Sequence, residues 1–297
     1  MTDRDDPVRR AARHRPEAPA LEWEESRWSW AELDRRVDEA AGRLRRLGVE
    51  PGNRAALVLE TGPGAVTLIH AASRAGAVPV ALSPRLTSRE LGDALGALAP
   101  ALLLCDLERA EACRAAGDRV GVPVRSIDDA ATPKGAPLEA AEPTPGPDAW
   151  PASDRVRAVV WTSGTSGRPR GVLLTEANFA ASAAGARERL DLGRDDRWHA
   201  SLSLAHVGGL ALVDRAARLG CALVAEGPFD PERFLAVADA GRVSHASLVP
   251  VMLRRVLDAR GGEAAPEGLR SVLVGGARAP ASLVEEALAG GWPVALT

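Results

Sequence analysis

A chain of 297 residues, 46% hydrophobic and 26% charged with a net charge of −3, has the composition of an ordinary globular protein and room for about two domains. The even mixture of acids and bases speaks against a basic nucleic-acid face, and no apolar run reaches the roughly 18 residues that a membrane helix needs. Cys105, Cys113 and Cys221 are scattered, odd in number and form no Cys-x-x-Cys pair, which excludes a disulfide framework and reads as free thiols in a reducing compartment. The polar N-terminus Met1–Asp6 does not have the form of a secretion signal, so the expected location is the cytoplasm. Lys134 is the single lysine among 37 basic residues, a bias that matters wherever Arg stands in a position suited to Lys.

In chain order, residues 21–30 read as a short strand and turn. Ser29 and Glu32 have capping-box spacing, in which each side chain bonds the other's backbone N–H. Leu33, Val37, Ala40, Leu44 and Leu47 then recur at helical spacing up to Gly48. Strands are predicted at 55–59, 78–82 and 101–105, with a helix over 64–75 and another behind the capping pair Thr87 and Glu90. Prolines crowd residues 131–154, a stiff connector between lobes at 1–130 and 155–297. The second lobe opens with strands 156–161 and 172–175 around a hydrophilic loop. Thr175 caps a helix to Leu190. Further strands are predicted at 198–202, 222–225, 245–249, 271–274 and 294–296, and helices at 206–219, 231–240, 250–259 and 281–289. Short apolar strands alternating with helices define an α/β class whose parallel sheet is covered on both faces. In such folds ligands sit outside the carboxyl ends of strands.

The loop Thr162–Gly171 concentrates three glycines, four hydroxyls and two arginines between apolar strands. Gly164, Gly167 and Gly171 permit close backbone approach and positive φ. Successive N–H groups in such a loop can form an anion-binding concavity. Thr162, Ser163, Thr165 and Ser166 add donors, and Arg168 and Arg170 add charge. Together they suit the β and γ phosphates of a nucleotide. The Walker spacing is absent, and the plainer alternative is a polar hairpin turn.

The segment TSGTSGRPRGV resembles the signature loop of the adenylate-forming superfamily of acyl-CoA synthetases, aryl-CoA ligases, luciferases and adenylation domains, usually close to TSGTTGKPKGV. RWSWAELDRRVDEAAGRLRRLGVEPGNRAALVLE and AGAVPVALSPRLTSRELGDAL resemble the family's earlier segments. The resemblance implies two mixed, largely parallel sheets flanked by helices. It implies that a carboxylate attacks the α-phosphorus of ATP and expels pyrophosphate, after which a thiol, usually that of coenzyme A, attacks the acyl-adenylate. Mg2+ would bridge the phosphates. Thr162, Ser163, Gly164, Thr165, Ser166, Gly167 and Arg170 would close over the departing phosphates, with Thr162, Arg170 and His206 in catalytic roles. Arg170 departs from the family's usual Lys; its planar fork is bulkier than an ammonium. The family continues past the equivalent of Thr297 with a Tyr-Gly-x-Thr-Glu segment and a small C-terminal domain. The chain is therefore expected to be the N-terminal part of such an enzyme, incomplete in its second lobe and inactive alone.

Ser201–Leu210 places a strand end, His206 and a Gly pair before a helix. By resemblance, His206 and Gly208 line the acyl pocket and the coenzyme A channel. The o-succinylbenzoate–CoA ligases of menaquinone biosynthesis are the branch most similar, with an Arg nine residues after the His, here Arg215, and an LVGGA segment, here Leu273–Ala277. A dicarboxylate needs a cationic partner for the carboxylate that is not adenylated, and an Arg fork suits that task. Against this branch, Gly208 and Ala205 replace its Ser and Phe, and Arg215 also reads as a solvated helix residue. Gly275, Gly276 and Ala277 are expected to reach the adenine or acyl site as a close-approach turn, or to be a plain turn after a strand. No metal-ligand spacing is present. The expected partners are a small carboxylate, ATP and coenzyme A, with no nucleic acid, no membrane insertion and a homo-oligomer left open. A general acyl- or aryl-CoA ligase and a non-catalytic nucleotide-binding fragment remain the alternatives.

Overall fold

A computed structural model describes residues 5–24, 26–127, 154–162, 169–225 and 227–297. The first described elements are α1 (Pro7–His14), β1 (Pro19–Trp23), β2 (Ser26–Ser29), α2 (Trp30–Arg46), β3 (Arg54–Val58), α3 (Pro63–Arg74), β4 (Val78–Leu82), α4 (Ser88–Leu98), β5 (Leu102–Asp106), α5 (Ala110–Asp118) and β6 (Val124–Ile127). The second series is β7 (Val156–Thr162), β8 (Arg170–Thr175), α6 (Glu176–Leu190), β9 (Arg197–His199), α7 (Val207–Leu219), β10 (Ala222–Ala225), α8 (Pro231–Asp239), β11 (His245–Leu248), α9 (Pro250–Arg260), β12 (Ser271–Val274), α10 (Ala281–Ala289) and β13 (Val294–Leu296). The Pro-rich connector at 131–154 lies outside the described residues except for its last residue, Asp154.

Caps set where the helices begin. Thr87 and Glu90 form the full reciprocal box at α4, with Glu90 N donating to Thr87 Oγ1 at 3.3 Å and Thr87 N to Glu90 Oε2 at 2.9 Å. Thr175 and Asn178 do the same at α6. Ser29 delivers only half of the expected box: its Oγ accepts from Glu32 N at 3.3 Å, while the Glu32 carboxylate turns to Arg35 and Arg36 at 2.9 and 2.7 Å. The Arg-rich α1 is only eight residues long, with Val8 and Ala11 on its buried face, too short a run for periodicity to name. It is started by Asp6, whose carboxylate accepts from Val8 N and Arg9 N at 2.9 and 3.2 Å, and by Pro7 at its first position.

The strands make two sheets. One has the order β13-β12-β11-β9-β10-β1-β2 and the other β6-β5-β3-β4-β7-β8. All neighbours are parallel except the hairpins β1–β2 and β7–β8. The lobes expected at 1–130 and 155–297 do not each own a sheet. β1 and β2 join the strands of the second lobe through β10, and β7 and β8 join those of the first through β4. Apolar spacing names a strand but not the edge it pairs with, which is why the exchange is invisible in sequence. The strand predicted at 198–202 stops at His199, where the chain leaves the ladder for the loop before α7.

Side chains alternate across each strand, and this divides the interior into three apolar layers. Ala56, Val58, Leu103, Cys105 and Val159 pack with α4 and α5 on one outer side. Val224, Ala246, Leu248, Val272 and Val274 pack with α8, α9 and α10 on the other. Between the sheets, Ala55, Leu57, Leu104, Ala158 and Val160 face Leu21, Trp198 and Leu223 across α2, α3 and α7. A helix covered by a sheet on each side must be apolar nearly all round, and every residue of α3 from Ala65 to Arg74 is buried. The three cysteines are free and buried, and no described helix is long and apolar enough to cross a membrane.

Charges that enter this middle layer are paired. Arg74, 7% exposed, reaches Asp6 at 2.7 Å, Asp34 at 2.6 Å and Asp38 at 3.0 Å, tying α3 to α1 and α2. Burial alone would raise the Asp6 carboxyl, but the charge and hydrogen bond of Arg74 outweigh it and hold Asp6 below the usual carboxylate range. Removing the cation strands buried carboxylates, which is far worse than never having had the pair. Arg74→Met is expected to lower the unfolding free energy by about 3–5 kcal/mol, read from the urea midpoint; a loss within experimental error would show that the carboxylates relax into water.

Candidate functional site

The parallel strands of each sheet present their carboxyl ends together, and the two sheets meet there. The hydroxyl of Thr61, just past β3, accepts from Leu204 N in the loop past β9 at 3.3 Å. Thr61 was not singled out by sequence; its signal was a Glu-Thr-Gly run directly after a buried strand.

The β7–β8 hairpin brings Thr162 opposite Arg170 in register, and Thr162 Oγ1 donates to Arg170 O at 3.2 Å. These two residues form the mouth of the predicted phosphate loop, with the Arg170 side chain exposed. Ser163, Gly164, Thr165, Ser166 and Gly167 lie outside the described residues. Gly171 corrects an expectation. It is a strand residue without positive φ, and a Cβ there would stand 3.0 Å from Val159 Cγ1 and 3.2 Å from Leu98 Cδ2. Its smallness accommodates α4 and β7.

His206 is the N-cap residue of α7, with its side chain exposed and making no cap bond. Its amide donates to Ser203 O at 3.1 Å, folding the loop 201–205 back on the helix start. The Gly pair explains how. A Cβ on Gly209 would lie 2.4 Å from Ser203 O and 2.7 Å from Leu202 O, and one on Gly208 would lie 2.9 Å from Leu202 Cδ1. Gly209 is thus required by backbone, whereas Gly208 opposes only a flexible side-chain tip.

Behind this loop His199 is buried. Its Nδ1 lies 2.5 Å from Ser201 Oγ, and its ring stands edge-on to Phe234 and Phe229 with centroids at 5.0 and 6.4 Å. Burial pushes its pKa down to about 4, so the ring is neutral. Arg215, by contrast, is not brought to His206. Nine residues along a helix is about two and a half turns and ~13 Å. Its Nε and Nη2 donate to Ser182 Oγ of α6 at 3.1 and 2.8 Å, and its guanidinium carbon lies 5.9 Å from the Trp198 ring centroid. Burial lowers its pKa, opposed by the charge of Asp214.

Gly275, Gly276 and Ala277 follow β12 at the same carboxyl-end rim. Gly275 N donates to Leu248 O at 3.2 Å, and Gly276 takes φ +77°. A Cβ on Gly275 would stand 2.3 Å from Thr297 Cγ2. Gly275 therefore lets the backbone lie close to the residue that follows β13. Among the described residues no group of three or more His, Cys, Asp or Glu could hold a metal ion.

The two-sheet fold is shared with known enzymes. Residues 8–294 match the AMP-binding enzyme family, and the chain belongs to it. Among particular relatives, it is 33% identical over 279 residues to the 2-succinylbenzoate–CoA ligase of Bacillus cereus, covering 94% of this chain and 55% of that protein. It is similar in structure to the o-succinylbenzoate CoA synthetase of Bacillus subtilis in complex with the acyl-adenylate intermediate OSB-AMP, with a TM-score of 0.90 at 27% identity, over 100% of this chain and 59% of that one. The same enzyme in complex with ATP and magnesium ion gives 0.88 at 27% identity, over 98% and 59%. The chain thus spans about half the length of the curated relatives it matches.

The depressed pKa of His199 has a defined consequence for stability. The unfolded ring, with pKa about 6.5, binds a proton that the folded ring refuses until about pH 4. Stability is therefore full above pH 6.5 and falls as pH drops through that window. Urea midpoints are expected to fall between pH 7 and 5, with a shallower slope in His199→Gln; an unchanged slope in the variant would show that the ring is protonated in place.

Proposed function

We propose that the protein carrying these residues is an ATP-dependent, AMP-forming acid–thiol ligase, with o-succinylbenzoate as the carboxylate and coenzyme A as the thiol. The observation that carries the reading is the 94% coverage of the chain by 2-succinylbenzoate–CoA ligases, matched by a fold in which hairpin mouth, His206 loop and Gly275 turn share one rim. In the first half-reaction a carboxylate oxygen bonds to the α-phosphorus of MgATP and the bond to the bridging oxygen breaks, so pyrophosphate leaves with the electron pair. In the second, the thiolate sulfur bonds to the acyl carbon and AMP leaves. Magnesium enters as part of the nucleotide substrate. A cytoplasmic site of action goes with three free buried thiols.

In this reading the Thr162 hydroxyl and the Arg170 guanidinium flank the β and γ phosphates, and Ser163, Gly164, Thr165, Ser166 and Gly167 are assigned to the same phosphates. Charge-assisted bonds to departing oxygens grow as pyrophosphate separates, and so favour the transition state over bound ATP. His206 and Gly208 border the acyl and thiol approach. Gly275, Gly276 and Ala277 border the nucleotide. Arg215 is assigned to the second carboxylate of the substrate, which it reaches by giving up part of its bonding to Ser182. Those same Ser182 bonds are the observation that favours a general acyl- or aryl-CoA ligase instead. We also infer that these 297 residues by themselves do not turn over substrate, because they span 55% of the ligases they match.

ATP–pyrophosphate exchange dependent on o-succinylbenzoate tests the reading in the whole protein, and the isolated 297 residues are expected to show none. A clear preference for fatty or aromatic monocarboxylates would overturn the substrate. Arg170→Ala is expected to weaken MgATP about tenfold, equivalent to ~1.4 kcal/mol, with Arg170→Lys near the parent; an unaffected KM in Arg170→Ala would remove Arg170 from the phosphate site. Arg215→Ala is expected to raise the KM for o-succinylbenzoate about tenfold or more while that for MgATP holds. A fall in melting temperature with both KM values unchanged would leave Arg215 as a brace between α6 and α7.

A further inference from the structure

The pairing of β7 with β8 contains one irregularity, and it falls at a charge. Val156 pairs with Thr175 and Ala158 with Leu174, so Arg157 is an extra residue on β7 with no counterpart. A bulge of this kind re-aims a side chain. Val156 and Val159 pack toward α4 and α5, while Ala158 and Val160 face the middle layer. The bulge delivers Arg157 to the middle layer as well, where it is 3% exposed.

There it completes a square of alternating charge. Glu176, the first residue of α6, directs Oε1 to Arg218 and Oε2 to Arg157, the latter at 3.6 Å. Asp214 directs Oδ2 to Arg218 at 2.5 Å and Oδ1 to Arg157 at 3.7 Å. Glu176 Oε2 and Asp214 Oδ1 accept no hydrogen bond, so the Arg157 charge is what faces them. All four side chains are 7% exposed or less. Glu176 N also donates to Arg155 O at 3.0 Å, closing the root of the hairpin.

A buried charge cluster is a poor way to gain stability, because desolvation offsets most of the attraction. It is a good way to fix geometry, since only one arrangement pairs every charge. This one joins two elements whose far ends lie at the rim. From Arg157 the strand β7 runs five residues, ~17 Å, to Thr162 at the loop mouth. From Asp214 the helix α7 runs back eight residues, ~12 Å, to His206. A small tilt at the root becomes a displacement on the ångström scale at either tip, and reaction rates are sensitive at that scale.

We propose that Arg157 is a positioning residue: bulged out of β7, it pins the root of the β7–β8 hairpin to α7, so that the phosphate-loop mouth and the His206 end of α7 hold one fixed spacing. The inference rests on the reading of 162–171 as a phosphate loop. It assigns no contact between Arg157 and substrate.

Hydrogen exchange and MgATP affinity, measured on the whole protein, test it. Arg157→Met is compared with Leu253→Ala, a core truncation in α9 remote from the hairpin. Arg157→Met should speed exchange at least tenfold both at Gly171–Leu173 of β8 and at Gly209–Leu212 of α7, and weaken MgATP about tenfold. Arg157→Lys, which keeps the charge and is read in its place if Arg157→Met does not fold, should fall between. Leu253→Ala should leave both segments and MgATP within twofold while lowering the melting temperature. The proposal is overturned if Arg157→Met and Leu253→Ala give the same pattern, or if the hairpin loosens without α7. Should the parent protein bind no MgATP, the nucleotide reading fails, and the paired exchange of the two segments still decides the pinning.

Discussion

The middle helical layer, shut between two sheets, is the constraint from which the rest of the structure follows. Helix α3 has no face in water to which a polar residue could be turned, and α7 has little, while α2 keeps one outer stripe with Arg35 and Glu39 exposed. Their interior positions are therefore small and apolar, as with Ala71, Ala72, Ala211, Ala216 and Ala217. Any charge that does enter must bring its counterion with it. Arg74 meets carboxylates from α1 and α2, and Arg157 and Arg218 meet those of α6 and α7. The same closure allows the two sheets to exchange strands, since β1 and β7 each cross to the far side of a layer that holds both sheets together.

Parallel strands impose a polarity on this body. Each strand but the antiparallel β2 and β8 delivers its following loop to one rim of its sheet, and the contact between Thr61 and Leu204 shows the two rims touching. Residues separated by more than a hundred positions are thereby collected without any element having been shaped for the purpose. The glycines at this rim serve the packing first. Gly209 admits the backbone of its own preceding loop, Gly275 admits the end of β13, and Gly171 admits Leu98. A Gly-rich stretch between strands is thus a compound signal, part ligand and part scaffold, and the two uses separate only when the neighbouring backbone is in place.

Much of the architecture was legible because its elements are bounded by chemistry that acts locally. The helix predicted at 231–240 begins at Pro231 behind an Asp230 cap, and Thr87 with Glu90 starts α4. What could not be read were properties of pairing and of three-dimensional neighbourhood. Helix α1 rests on a cap and on an ion pair made with Arg74, 68 positions away. The Arg157 bulge is defined only by its partner strand. At the rim, the loop strands, His206 and the glycine turns were legible as candidates from their residue types. Arg215 was legible as a candidate partner for a second carboxylate, but its bonds to Ser182 of α6 depend on a neighbour 33 positions away.

All the cations buried in the middle layer are guanidinium groups, in a chain with one lysine. An ammonium in such a place can surrender its proton and become a neutral amine; a guanidinium does not. The interior consequently has no alkaline exit. Raising the pH leaves the charge of Arg74, Arg157 and Arg218 in place. Lowering it discharges Asp34, whose carboxyl burial raises, before Asp6, whose carboxyl Arg74 holds down, and so removes negative charge from opposite Arg74. The fold has a single chemical direction in which its centre can come apart, and that direction is acid.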